Sequence, residues 1–123
     1  MLSYVTIGTN NLENALNFFD PIMKELGATR LMETPRGVFY GNGKGPMLAV
    51  MTPFDGEAAS FGNGTMVALN AASPEEVNRI HALALSLGAK DEGTPGIRLD
   101  KFYLGYFRDL DGNKFSLFSM PKK

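Results

Sequence analysis

The sequence predicts an α+β fold in which a unit of one strand, one helix and three further strands occurs twice. Two observations lead to this prediction. The strand-like run Tyr4–Ile7 has a counterpart in Met66–Leu69, and a helical stretch follows each run. The two helical stretches also end alike, in Leu26-Gly27-Ala28 and in Leu87-Gly88-Ala89. Self-similarity at a fixed spacing indicates a duplicated supersecondary unit.

The first helix is predicted to begin at Asn10 or Asn11 and to end before Gly27. Glu13 stands three residues after Asn10, the spacing of a capping box. One broad apolar face is formed by side chains at helical spacing, which are Leu12, Ala15, Leu16, Phe19, Ile22, Met23 and Leu26.

The second helix has clearer end signals. Ser73 is predicted as the N-cap, Pro74 as the first helical residue and Glu76 as the partner that completes the capping box. The apolar stripe consists of Val77, Ile80, Ala84 and Leu87. Gly88 then supplies the left-handed residue that commonly ends a helix.

Short β-rich runs flank both helices. They are Tyr4–Ile7, Thr29–Glu33, Gly37–Tyr40, Met47–Met51, Thr65–Asn70, Tyr103–Arg108 and Lys114–Phe118, with a weak eighth run near Lys90–Glu92. Gly41-Asn42-Gly43 and Asp111-Gly112 are typical of hairpin turns. We therefore expect one domain over residues 1–123, made of a module at 1–52, a linker at 53–63 and a module at 64–123.

Composition excludes several classes of function. Thirteen acidic and twelve basic residues give a net charge of −1, so we expect no nucleic-acid partner and no attraction to a membrane surface. The chain has no cysteine, which excludes disulfides, thiolate metal sites and a cysteine nucleophile. No apolar run approaches the ~20 residues of a membrane helix, and no secretory signal opens the chain. We expect a cytoplasmic protein.

The duplicated unit, closed by the hairpin Arg108-Asp109-Leu110-Asp111-Gly112-Asn113-Lys114, resembles the vicinal oxygen chelate superfamily. That superfamily includes glyoxalase I, extradiol dioxygenases and bleomycin-resistance proteins. The resemblance implies two tandem βαβββ modules that form a curved, cup-like mixed sheet with helices on its outer face. It also implies a divalent metal held by His or Glu on the first and last strands of each module.

Strand alternation assigns side chains to the two sheet faces. The apolar alternates Val5, Ile7, Val67, Leu69, Phe115 and Leu117 are expected to pack on the helices. The opposite, cup-facing set is Tyr4, Thr6, Met47, Ala49, Met51, Met66, Ala68, Asn70, Lys114, Ser116 and Phe118.

The four positions that match the family's metal ligands hold Tyr4, Ala49, Met66 and Ser116. Zinc, nickel, manganese and iron prefer imidazole and carboxylate ligands, which this set lacks. We therefore expect no metal and no cofactor. The alternative is a metal-dependent lyase, isomerase or dioxygenase with ligands at other positions, such as Asp100, Asp55 or Glu57.

Three other features are given structural interpretations. His81, the only histidine, lies at the edge of the second helix's apolar stripe and is interpreted as a half-covered surface residue rather than a general base. The segment Asp109–Asn113 lacks the spacing of a calcium loop. Gly41–Gly45 lacks the pattern of a phosphate loop.

The favoured function is a bleomycin-resistance-like protein that binds a small apolar or aromatic molecule in the cup without metal chemistry. The predicted binding residues are Tyr4, Thr6, Met47, Met51, Met66, Asn70, Arg98, Tyr103, Ser116 and Phe118. Arg98 is assigned to the loop through Pro95-Gly96, and Tyr103 follows that loop at the start of the seventh strand. The resemblance implies that this loop lies by the cup mouth. If the protein is an enzyme, we expect a glyoxalase-like lyase or dioxygenase. The third possibility is an interaction protein that binds no ligand, in which apolar side chains fill the cup as a second core. Free sheet edges favour a homodimer.

Overall fold

The computed structural model describes residues 1–121. The chain divides into two compact units, Met1–Gly62 and Asn63–Lys123, and each has the element order strand, helix, strand, strand, strand. The predicted α+β class and the tandem βαβββ units are confirmed. The hydrogen-bonded strands form two mixed sheets of four strands, one sheet in each unit.

The first unit contains β1 (Tyr4–Gly8), α1 (Leu12–Glu25), β2 (Thr29–Thr34), β3 (Gly37–Gly41) and β4 (Met47–Met51). Its strand order is β1-β4-β3-β2, in which β1 and β4 are parallel and the other neighbours are antiparallel. β1 and β2 are therefore the edges of this sheet, and the register shifts within β2 between Arg30 and Met32.

The second unit repeats this topology with β5 (Val67–Asn70), α2 (Pro74–Ser86), β6 (Lys90–Arg98), β7 (Phe102–Arg108) and β8 (Lys114–Ser119). Its strand order is β5-β8-β7-β6, and β5 pairs with β8 in parallel. β5 and β6 are the edges, and the pairing of β6 with β7 contains two register shifts.

The N-cap of α1 is Asn11, whose side chain accepts a hydrogen bond of 3.0 Å from the Asn14 amide. The capping role considered for Asn10 is wrong. Its side-chain amide instead makes two hydrogen bonds with the backbone of Ala59, at 2.7 and 3.2 Å. Ala59 lies in the segment after β4 and also over Gly8, so these bonds hold that segment beside the end of β1.

The predicted N-cap of α2 is confirmed, but the return bond of the capping box goes to the residue before the N-cap rather than to Ser73 itself. Ser73 accepts from the Glu76 amide at 3.1 Å, and the Glu76 carboxylate accepts from the Ala72 amide at 3.1 Å. Pro74 is the first helical residue. Gly88 has a φ of 105°, the left-handed conformation that glycine adopts without strain, and the following amide bonds back to Ala84.

Each sheet has a helix face, which packs on the helix of its own unit, and an open face on the other side. In the first unit the Tyr40 hydroxyl bonds to Asp20 of α1, which places Tyr40 and its partner Leu48 on the helix face. In the second unit a Cβ at Gly105 would lie 3.3 Å from the His81 ring, which places Gly105 and its partner Leu117 there. The predicted alternation is confirmed, so Ala49 and Ser116 belong to the open faces.

β6 is longer than the sequence indicated. It runs through Pro95 and Gly96 to Arg98, and the turn to β7 comes at residues 99–101. Leu99 and Asp100 adopt φ values of 52° and 63° in that turn. The prediction of a loop through Pro95-Gly96 is wrong, because the register shifts of β6 accommodate these residues within an edge strand.

Candidate functional site

The open face of the first sheet carries a buried apolar cluster. Phe39, Ala49 and Met51 form it, and the partly buried Met47 packs against them. The Tyr4 ring meets Phe39 edge-on, with 4.9 Å between the ring centroids. Ala49 is fully buried in this cluster. Two of the predicted binding residues, Met47 and Met51, therefore pack against other side chains of the same cluster.

The edge strand β1 presents exposed side chains on the same face. Tyr4 is 49% exposed, and Thr6, the register partner of Ala49, is also exposed. Tyr4 and Thr6 are therefore the predicted binding residues of this unit that a small molecule can reach directly.

Aromatic rings characterise the open face of the second sheet. Phe102 and Phe118 lie with their ring centroids 5.4 Å apart, and both are half-buried. Tyr106, also half-buried, follows on the same face of β7. Asn70, the register partner of Phe118, is exposed at the edge, and Met66 just before β5 is 42% exposed.

Ser116 stands between Ala68 and Tyr106 in the register of this sheet. The residue is fully buried. Its Oγ is the only buried side-chain nitrogen or oxygen atom within residues 1–121 that has no hydrogen-bond partner. Most buried polar groups in proteins have such a partner, so this hydroxyl is unusual.

Two cationic side chains lie near the Tyr106 ring. The Arg98 guanidinium carbon is 5.7 Å from the ring centroid, and the Lys114 nitrogen is 5.4 Å from it. Arg98 also donates a 2.8 Å hydrogen bond to the carbonyl of Thr94. The predicted residue Arg98 therefore reaches the open face from β6 rather than from a loop.

The side chains at the family's metal-ligand positions do not fit a divalent cation. Ala49 has no donor atom and is enclosed by apolar neighbours, and Met66 offers only a thioether. Across the described part of the chain no three His, Asp or Glu side chains gather as a metal site. Asp55 caps a local turn by accepting from the Glu57 amide, and Asp100 is exposed in the turn before β7.

His81 is buried, and its prediction as a half-covered surface residue is wrong. Its Nε2 lies 3.0 Å from the carbonyl oxygen of Tyr106 and 3.2 Å from Oδ1 of Asp91. Both partners accept, so the ring carries its proton on Nε2. The histidine ties α2 to β6 and β7 on the helix face, on the side of the sheet away from Ser116.

Tyr103 lies on the helix face and not beside Ser116. Its hydroxyl donates a 2.7 Å hydrogen bond to the Asn78 side chain of α2. It contributes to a depression of about 340 Å³ at the start of α2, lined by Ala72, Pro74, Glu75, Ile97, Lys101, Tyr103, Ser119, Met120 and Pro121. That depression contains none of the open-face rings.

Sequence reasoning left three open-face residues out of the binding set, namely Phe102, Tyr106 and Lys114. The signal for the first two was available, because Phe102 and Tyr106 alternate with Tyr103 along β7 and so point away from α2. The end of β6 was not marked in the sequence, and Arg98 was placed in a loop for that reason.

The pKa values of Asp20 and Asp109 are shifted in opposite directions. In the first unit the Arg30 guanidinium hydrogen-bonds Asp20 at 2.7 and 3.0 Å and lowers the pKa of that carboxyl. Burial of the Tyr40 phenol beside it raises the tyrosine pKa. In the second unit burial raises the pKa of Asp109, against hydrogen bonds from Asn113 and Asp111.

The chain matches no protein-family model and no curated protein sequence. Solved structures do match it. A glyoxalase/bleomycin resistance protein from Albidiferax ferrireducens T118 is 35% identical, with a TM-score of 0.92 over 98% of this chain and 99% of that one.

More distant structures share the fold. A glyoxalase-related enzyme from Fulvimarina pelagi is 20% identical, with a TM-score of 0.77 over 97% of this chain and 87% of that one. A lactoylglutathione lyase from Agrobacterium tumefaciens is 19% identical, with a TM-score of 0.71 over 97% of this chain and 92% of that one.

Two tandem βαβββ units, each with a helix on one face of its sheet, define the vicinal oxygen chelate fold. The identity and full coverage of the first of these relatives go further than the fold. This chain belongs to the glyoxalase/bleomycin resistance protein family. In residues 1–121 no helix is long and apolar enough to cross a membrane.

Proposed function

We propose that this protein binds a small apolar or aromatic molecule without metal chemistry, on the open face of its second sheet. The observation that carries the proposal is the group of half-buried rings of Phe102, Tyr106 and Phe118 beside the neutral Ser116. Ligand sites are mostly apolar and aromatic with a few polar groups that orient the ligand.

The donor chemistry supports binding over metal-assisted catalysis. Where the superfamily's enzymes hold a metal, the residues Ala49 and Met66 offer no oxygen or nitrogen, and Ser116 is a neutral hydroxyl. Tyr4, Thr6, Met66 and Asn70 are further candidates for ligand contact, because they are exposed at strand edges.

We also propose a homodimer. Each sheet has two edge strands, and of these β1 and β5 pair with their neighbours without a register shift. Regular edge strands are commonly paired or covered in proteins.

A ligand screen tests the binding proposal. Aromatic compounds should shift the methyl NMR signal of Met66 and the ring signals of Phe102 and Phe118, and they should raise the melting temperature. Phe118→Ala should weaken binding about tenfold, since it removes one ring of the group. Phe54→Ala is the matched control, because Phe54 is 88% exposed and lies in the first unit.

Metal dependence provides a second readout. We expect the same affinity after dialysis against a chelator and after addition of Zn²⁺, Ni²⁺ or Mn²⁺. A ligand that binds only in the presence of one of these ions would contradict the proposal. A screen in which no aromatic compound perturbs the NMR signals of Met66, Phe102 and Phe118 would contradict it as well.

The homodimer has its own test. Light scattering that gives a monomer at high micromolar concentration would contradict it.

A further inference from the structure

The helix face of the second sheet is left uncovered at one end. Ile97, Tyr103 and Ser119 form one row of register partners there, across β6, β7 and β8. The next row inward, with Gly105 and Leu117, lies under α2. Because α2 begins beside the outer row rather than over it, the depression of about 340 Å³ described above stays open at this end.

The lining of this depression is mostly apolar. Ala72, Pro74, Ile97, Met120 and Pro121 contribute to it, and Ile97 and Met120 are 67% and 63% exposed. Ligand pockets commonly have volumes of about 300–1,000 Å³, so this one suits a small molecule. An apolar group bound here would remove side-chain surface from water, which favours binding.

Ser119 provides the depression with a polar group that lacks a partner. The residue is 2% exposed, and its side chain is on the helix face because its register partner Tyr103 reaches α2. Like the hydroxyl of Ser116, that of Ser119 makes no hydrogen bond within residues 1–121. Unlike Ser116, Ser119 lines the depression, so a ligand held there can reach it.

Two further polar groups of the lining are hydrogen-bond acceptors. The Tyr103 hydroxyl donates its hydrogen to the Asn78 side chain at 2.7 Å, so its lone pairs are what it offers to a ligand. Glu75 is a carboxylate in the first turn of α2, and it makes no ion pair within residues 1–121. The depression therefore offers acceptors and one negative charge.

The positive groups near the depression are already engaged. Lys101 belongs to the lining, but its ammonium nitrogen lies 5.1 Å from the centroid of the Phe102 ring, which is on the open face. Two backbone amides at the start of α2 are bonded locally, that of Glu76 to Ser73 and that of Ala72 to Glu76. The start of this helix thus has fewer free donors for an anion.

We propose that this depression binds a small organic amine in its protonated form. The ammonium group pairs with the Glu75 carboxylate and donates to the Ser119 hydroxyl, while the apolar body contacts Ile97 and Met120. An ammonium group has three donors and no acceptor, which complements a lining of acceptors. The site is on the helix face, so it is separate from the open-face site of the proposed function.

The test uses three probes with one branched body and different charges, namely isopentylamine, isopentanol and isovalerate. NMR titration at two salt concentrations follows the Ser119 amide and the Met120 methyl group, with the Met66 methyl group as a reporter of the open face. We expect the amine to bind about threefold more tightly than the alcohol and to lose this advantage in added salt. Isovalerate should bind most weakly, because Glu75 repels it.

Variants assign the effect to residues. Glu75→Gln keeps the size of an exposed side chain and removes its charge, so the affinity for the amine should fall to that for the alcohol. Glu57→Gln is the charge-matched control, since Glu57 is exposed in the first unit. Ser119→Ala removes the unpartnered hydroxyl and should weaken binding of the amine about fivefold.

A second pair of variants tests the depression itself. Ala72→Leu enlarges an exposed side chain of the lining and should weaken binding of the amine and the alcohol alike, by about tenfold. Ala58→Leu is its control, because Ala58 is exposed in the first unit. Equal affinities in these two variants would show that the probes bind elsewhere.

Several outcomes overturn the amine site. The proposal is wrong if the alcohol binds as tightly as the amine, if Glu75→Gln and Glu57→Gln act alike, or if isovalerate binds most tightly. It is also wrong if no probe shifts the signals of Ser119 and Met120. A probe that shifts the Met66 signal alone has bound to the open face, which overturns the amine site and leaves the proposed function standing.

Discussion

The two open faces differ strongly, although the strands beneath them follow one plan. The face of the first sheet is centred on Phe39, Ala49 and Met51, which are buried against one another. The face of the second sheet has half-buried rings, the cations of Arg98 and Lys114 near the Tyr106 ring, and the buried hydroxyl of Ser116. The comparison teaches that the repeated scaffold determines which residues face away from the helix, while side-chain chemistry alone makes one face a packed cluster and the other a candidate site.

The largest expected effect comes from placing a carboxylate on each face. Met51→Glu removes a buried thioether from its cluster and should lower the free energy of unfolding by about 4 kcal/mol. Met66→Glu alters a residue that is 42% exposed, so we expect a loss under about 1 kcal/mol. Urea denaturation of the two variants measures both values. Equal losses would show that the faces do not differ in packing.

The positions of Met51 and Met66 illustrate what the sequence can and cannot predict. Strand alternation placed both on the side away from the helices, because a strand repeats every two residues. It did not separate a buried methionine from an exposed one. That difference depends on which neighbouring strands pair with each residue and on where β5 begins, and both are set by tertiary contacts.

The second-largest effect concerns glycines of the two open faces. A Cβ at Gly37 of β3 would overlap the carbonyl oxygen of Val50 and lie 2.8 Å from the Met51 Cα, so only backbone movement accommodates it. Gly37→Ala should therefore cost about 3 kcal/mol. The three atoms nearest to a Cβ at Gly93 all belong to the side chain of Tyr106, whose half-buried ring can rotate. Gly93→Ala should cost less than about 1 kcal/mol, since a side chain adjusts more cheaply than the backbone.

Gly93→Ala should nevertheless weaken binding of an aromatic ligand at the proposed site, because it displaces the Tyr106 ring, which is one of the three rings of that site. Phe54→Ala again serves as the control, since Phe54 lies in the first unit and is 88% exposed. Unchanged affinity for aromatic compounds in Gly93→Ala would contradict the part assigned to the Tyr106 ring.

The sequence predicted the elements better than the site. Cap and stop residues such as Ser73 and Gly88 act locally, so the second helix was located within one or two residues. The end of β6 was missed because Pro95 and Gly96 usually interrupt a strand, and only the register shifts of an edge strand accommodate them. His81 was misjudged because its partners, Tyr106 and Asp91, are distant in sequence.

The smallest expected effect is a difference in pH dependence between the two units. Asp20 in the first unit has a pKa held low by Arg30, so its charged form stabilises the fold. That contribution is present above the ordinary aspartate pKa of about 3.9 and is lost as the pH falls through the lower pKa of the folded state. Asp20 is partly exposed, and solvent screening limits the contribution to less than about 1 kcal/mol.

Asp109 in the second unit should behave in the opposite way, because burial raises its pKa. Its contribution is present below the ordinary aspartate pKa and is lost as the pH rises through the raised pKa of the folded state. NMR titration of the two carboxyl carbons should therefore give a midpoint below the ordinary value for Asp20 and above it for Asp109. Asp20→Asn should flatten the loss of stability in acid, whereas Asp109→Asn should not. Midpoints in the reverse order would show that the hydrogen bonds from Asn113 and Asp111 outweigh the burial of Asp109.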